Sequence, residues 1–161
     1  MNSSDITPES LMSLAIAKAL DGIEQGQSPF GCAIAVGNQV IACEHNQVVA
    51  GCDSTAHAEI RALRAACAHR RHYLLEGALV ASTCEPCPMC MSALHWARVD
   101  TVVFGATIAD AAQAGFHELS IPAETIIRLG NSSVRLQSGI LADDCRQLFD
   151  RWKSRPDAVV Y

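Results

Sequence analysis

The sequence predicts an α/β protein, a three-layer α/β/α sandwich built around one five-stranded mixed sheet. Two observations lead there. Along the 161 residues, stretches with helical apolar periodicity alternate with apolar runs of strand length. After a first helix the order is strand-strand-helix-strand-helix-strand, and helices interposed between later strands put a layer on each face of a sheet. No repeat, low-complexity tract or linker divides the chain, and its length fits a single domain over 1–161.

Thr7-Pro8-Glu9 is a helix start: a hydroxyl to cap free N–H groups, proline in the first turn and a carboxylate beside them. Met12, Ile16, Ala19 and Ile23 then recur on one helical face, and Gly26 and Pro29 end the run. Apolar runs at 32–36 and 40–43 flank Gly37-Asn38 and predict a hairpin. Residues 45–54 are expected to form a polar connection. A second helix is predicted over 55–69, with Ile60, Leu63 and Cys67 on its buried side. A buried strand at 78–82, a helix at 87–97 and a strand at 101–106 follow. An Ala-rich helix is expected at 108–114, a loop at 115–122, a fifth strand at 134–137 and a last helix at 143–153, ahead of Pro156.

Composition narrows the classes of function. Hydrophobic residues make up 50% and charged ones 18%, which builds a core and excludes a disordered chain. Lys+Arg 12 against Asp+Glu 17 gives a net charge of -5, the wrong sign for gripping a phosphate backbone, so nucleic acid is not the expected partner. No apolar run is long enough to span a bilayer. Residues 1–8 lack a basic stretch leading into a hydrophobic one, so no export signal is expected. The 8 cysteines fall below a disulfide scaffold, and in the cytoplasm, the expected compartment, most stay free thiols.

The informative residues are His57-Ala58-Glu59 and Pro86-Cys87-Pro88-Met89-Cys90. Zinc takes imidazole and thiolate ligands, and one His with two Cys fills three of four tetrahedral positions. On a helix the sulfurs of Cys87 and Cys90 leave the same face. The flanking prolines put that face at a helix start, where the dipole favours thiolates. The remaining position is where a catalytic zinc holds a water and lowers its pKa. Glu59 does not share the face of His57, so it is read as the general base and then general acid beside that water. Cys84 offers a competing arrangement, a closed Cys₃His site with no chemistry, and a CxxC pair alone also serves redox reactions. Only the catalytic arrangement uses the HxE triplet and the prolines. Cys32, Cys43, Cys52, Cys67 and Cys145 are scattered and read as small core hydrophobes. The cluster His69, Arg70, Arg71 and His72 reads as a solvated helix end, and His45, His95 and His117 have no fixed partner in sequence.

The paired motif resembles the signature of the zinc-dependent cytidine deaminase superfamily, over about residues 8–120. That resemblance implies a five-stranded sheet between helix layers, one Zn2+ per subunit on His57, Cys87 and Cys90, and an active site between the subunits of a homodimer. It also implies hydrolytic removal of an exocyclic amine from a nucleobase. A finer resemblance, to bacterial guanine deaminases, rests on Pro29-Phe30-Gly31, Asn46, Trp96-Ala97-Arg98 and the stretches 55–59, 84–90 and 110–118. It implies that Phe30 and Trp96 flank a purine ring and that Asn46 meets its hydrogen-bonding edge, with Ala58 beside it. It implies that Glu118 accepts guanine N–H groups and assists Glu59 in moving protons, and that Tyr161 crosses the dimer on an exchanged C-terminal segment. The implied reaction is guanine to xanthine and ammonia. A transfer RNA adenosine deaminase, or a deaminase of another aminopurine, a triazine or cytosine, are the alternatives. Ordinary core packing for Phe30 and Trp96, and a loose terminus for Tyr161, are the plainer assignments of those side chains.

Overall fold

The computed structural model describes residues 5–161. The polar start of the chain, read above for an export signal, lies partly outside them. The first helix, α1 (Pro8–Glu24), opens as its sequence requires. Thr7 Oγ1 accepts from the Ser10 N–H at 3.1 Å, and Ser10 Oγ accepts from the Thr7 N–H at 2.9 Å. Two first-turn donors are thereby satisfied reciprocally. Leu11, Met12, Ala15, Ala19 and Ile23 are its buried face, whereas Ile16 is only half-buried.

Strands β1 (Gly31–Val36) and β2 (Gln39–His45) form the expected hairpin. Gly37 turns it at φ 57°, a left-handed conformation that glycine adopts without strain. The stretch expected to be a simple connection contains a one-turn helix, α2 (Val48–Gly51), followed by Cys52 in left-handed geometry. Next come α3 (Ala58–Arg70), β3 (Ala78–Cys84), α4 (Pro88–Trp96), β4 (Thr101–Ala106) and α5 (Ile108–Ala114). An unexpected α6 (Ala123–Leu129) follows the 115–122 loop, then β5 (Arg135–Gln137) and α7 (Ala142–Lys153) complete the chain. The sheet order is β2-β1-β3-β4-β5, antiparallel through β2, β1 and β3 and parallel through β3, β4 and β5.

The alternation of strand side chains divides the core in two. Ala33, Ala35, Ala81 and Val103 face α1, α5 and α7, together with Phe149 and Trp152. Cys32, Ile34, Val80 and Val102 face α3, α4 and α6, with Met91 and Leu94. On α3 the sheet contact is made by Ala58, Ala62, Leu63 and Ala66, while Ile60 and Cys67 are only half-buried. The bulky residues had suggested a face slightly rotated from the true one, because small alanines occupy the tight contact. Helix and sheet also approach closely where glycine removes a side chain. A Cβ on Gly31 would meet the Ala15 carbonyl of α1, and one on Gly105 would meet Cys145 Sγ of α7.

The sandwich puts the C-terminal ends of β3 and β4 and the starts of α3 and α4 at one edge of the sheet. Parallel strands of an α/β sheet leave a crevice at that edge, where ligands gather. Gly105→Ala should destabilise the protein by about 1–3 kcal/mol, because α7 must retreat from a packed core. Thermal unfolding reads the loss, and an unchanged midpoint would show that α7 is not held at that distance.

Candidate active site

His57 is the N-cap residue of α3 and Cys87 that of α4, so two helix starts meet at the edge of the sheet. His57 Nδ1 lies 3.7 Å from Cys87 Sγ and 3.6 Å from Cys90 Sγ. All three donor atoms fall within 4.8 Å of one another. A tetrahedral zinc with nitrogen at about 2.0 Å and sulfur at about 2.3 Å separates those ligands by about 3.5 Å. The donor set therefore fits zinc in type and in spacing. Cys84 stands apart from the group. It is buried at the end of β3, with its Sγ donating to the Thr107 carbonyl at 3.5 Å.

Electrostatics agrees with the geometry. Cys87 is pulled down to about 4 by the hydrogen bond from the Cys90 thiol, against the opposing effect of burial, and His57 adds to the pull. Cys90 is pushed up by that same hydrogen bond, by burial and by the Glu59 carboxylate. Two sulfurs this close to one imidazole suit a divalent cation, which binds both as thiolates. Burial works to lower His57, but hydrogen bonding to Cys87 and the nearby Glu59 leave it raised overall.

Glu59 is buried in the first turn of α3. Its Oε1 accepts from Ser82 Oγ at 3.0 Å and its Oε2 from Cys90 Sγ at 3.6 Å, so it is fixed beside the donor cluster. Burial raises it above the free carboxyl value of 4.5, with the imidazole of His57 opposing. Such a carboxylate takes up a proton more readily than a solvated one. Phe30, Asn46, Glu85 and Glu118 complete the walls of a narrow cleft, together with His57, Glu59, Cys84 and Cys87. Burial is also what chiefly raises Glu118, and the thiolate of Cys87 adds to it.

The other residues named from sequence fall on both sides of that wall. Asn46 is buried, its Oδ1 accepting from the Val48 N–H at 3.0 Å and its Nδ2 donating to Tyr161 Oη at 2.6 Å. Within this chain Tyr161 is thus hydrogen-bonded to a residue of the cleft wall. Its ring packs edge-on to Phe116 at 5.7 Å, and burial lifts its phenol to about 12. Trp96 lies away from the cleft of its own chain. It is 72% exposed and lines a groove with Ile60, Leu63 and Tyr73 on the outer face of α3 and α4. It ends the helix that Cys87 starts, and a rise of 1.5 Å per residue carries its backbone about 9 Å along the axis beyond Cys90. Ala58 is likewise outside the cleft, packed into the core between α3 and the sheet.

Sequence reasoning missed Ser82, Glu85 and Phe116. Ser82, with Thr83, is one of two buried hydroxyls in an otherwise apolar strand, a pattern that signals required hydrogen bonds. Phe116 meets Phe30 edge-on at 4.9 Å and so fixes the ring that lines the cleft.

A family model for the cytidine and deoxycytidylate deaminase zinc-binding region matches residues 6–106. The chain belongs to that family. It is a zinc-dependent aminohydrolase, with His57, Cys87 and Cys90 as the metal-binding set. It is 40% identical to a guanine deaminase of Bacillus subtilis over 111 residues, 68% of this chain and 71% of that protein. It is 34% identical to a tRNA-specific adenosine deaminase of the same organism over 137 residues, 85% of this chain and 83% of that one. A guanine deaminase structure from Nitrosomonas europaea superposes with a TM-score of 0.85 at 27% identity, covering 96% of this chain and 90% of its own. A solved complex with 2,6-diaminopurine gives a TM-score of 0.86 at 28% identity, covering 96% and 85%.

Two substitutions test the site. Cys90→Ala should abolish stoichiometric zinc while Cys84→Ala retains it, as measured by elemental analysis of the purified proteins; equal loss from both would mean that Cys84 is a ligand. Glu59→Gln should keep zinc and lower turnover by about 100-fold or more, the scale of a lost general base. Full activity in that variant would remove Glu59 from the reaction.

Proposed function

We propose that the protein hydrolyses guanine to xanthine and ammonia. The observation that carries this reading is the composition of the cleft. Among the described residues its walls hold Glu59, Glu85 and Glu118 and no Lys or Arg, and Glu118 is the carboxyl left to meet the N–H donors of a small neutral ring. Glu118 accepts from the guanine N–H groups and Asn46 meets the opposite polar edge. Phe30 supplies an apolar surface to the ring.

Zinc, when bound, acts as the Lewis acid that makes water nucleophilic at neutral pH. Glu59 accepts the proton of the attacking water and delivers it to the ring nitrogen adjacent to C2. Glu59 then takes the second proton, from the hydroxyl now on C2, and with Glu118 assisting passes it to the exocyclic amine as C2=O forms and the C2–N bond breaks. Water and guanine in, xanthine and ammonia out, balance without a further reactant. Burial suits Glu59 to both steps, because a raised carboxyl gives and takes its proton nearer neutrality. A cytoplasmic homodimer belongs to the same reading, with exposed Trp96 on a face open to a second copy.

A second reading, adenosine deamination in transfer RNA, is supported by the tRNA-specific relative, which covers more of this chain than the Bacillus guanine deaminase does. It requires a cationic path for the RNA backbone. The acidic cleft wall and the net charge of -5 argue against it. Ammonia release from free purines, cytosine, a triazine, nucleosides and a transfer RNA should be highest with guanine; preferential release from RNA would reject the proposal. Glu118→Ala should lower kcat/KM for guanine by about tenfold to 100-fold, the scale of leaving a buried N–H unpaired. Equal losses for guanine and for the other bases would place Glu118 outside recognition.

A further inference from the structure

Glu85 stands at the end of β3, directly before Pro86 and Cys87. Both of its carboxylate oxygens are engaged by backbone. Oε2 accepts from the Ile108 N–H at 3.2 Å and Oε1 from the Ala123 N–H at 2.9 Å. These donors belong to the first residues of α5 and α6, whose opening N–H groups have no partner inside their own helices. Between the two helices runs the 115–122 loop, which carries Glu118 to the cleft. The Glu85 N–H is in turn held by the Ala106 carbonyl at 2.8 Å, at the end of β4.

One side chain therefore joins the segment that bears the metal-binding thiols to the two helices that flank the Glu118 loop. Neither α5 nor α6 has another carboxylate bridging it to the other among the described residues. We infer that Glu85 is a positioning residue for the deamination, a strut that sets the span of the cleft between Cys87 and Glu118. With both oxygens committed to N–H groups, it acts through Glu118 and not as a carrier of protons. The inference rests on the role given to Glu118 above.

The test is a double-mutant cycle between Glu85→Gln and Glu118→Ala, assayed on whichever base the unaltered protein turns over fastest. Gln keeps the size and one acceptor but turns an N–H toward one of the two backbone donors. Glu85→Gln alone should lower kcat/KM about tenfold, mainly through KM, with one zinc per chain retained. In the Glu118→Ala background the same change should cost less than about twofold, since coupled residues are non-additive. Glu85→Asp, which keeps the charge and shortens the reach, should show the same dependence on background and serves if the Gln variant folds poorly. Equal losses in both backgrounds, loss of zinc, or no loss at all would overturn the inference. A failure of guanine as substrate would show separately, in the choice of base, and the cycle would still decide the role of Glu85.

Discussion

The convergence of one imidazole nitrogen and two sulfurs at two helix starts is the constraint that the rest of the chain serves. Without a cation the arrangement is unfavourable, because sulfurs, an imidazole and a buried carboxyl crowd a region with little water. The opposite shifts of Cys87 and Cys90 and the raised Glu59 are the signs of that conflict. A divalent ion would relieve it by supplying positive charge to groups that it binds deprotonated. Binding of zinc therefore contributes directly to the stability of this end of the sandwich.

The fold meets the constraint with rigid parts. β3 runs into the metal-binding segment, and its neighbours on either side carry the hairpin with Phe30 and the strand leading to α5. Ser82 holds Glu59, Asn46 holds the turn into α2, and Phe116 braces Phe30. Glu59, the turn beside Asn46 and the ring of Phe30 are thus each held in place by a side chain. Such support is what keeps a site in productive geometry at the scale of tenths of an ångström. Burying a carboxyl for catalysis costs stability at neutral pH, the exchange common to active sites.

Much of this was legible in the amino-acid order. The strands, α1 with its Thr7 cap, α4 and α7 followed from periodicity and end signals, and the metal set followed from the chemistry of His57, Cys87 and Cys90. The short helices α2 and α6 did not, because one or two turns carry too little periodicity to distinguish from loop. The buried face of α3 was misread by one step because alanine packs tightly without looking hydrophobic enough to mark a face. Trp96 is assigned to the cleft by resemblance, and the fold places it at the far end of α4 on an outer face of its own chain. Ser82 and Glu85 escaped notice for a different reason. Ser82 meets the Glu59 carboxylate and Glu85 meets the free N–H groups of two helix starts, partners that only the tertiary fold brings together.

The claim on which the account turns is a three-ligand zinc centre with one corner open to water. X-ray absorption spectroscopy of the zinc-loaded protein measures it most directly. The account predicts a first shell of two sulfurs and two lighter atoms, one of them from imidazole. A shell of three sulfurs, or of four protein ligands in any combination, would contradict it.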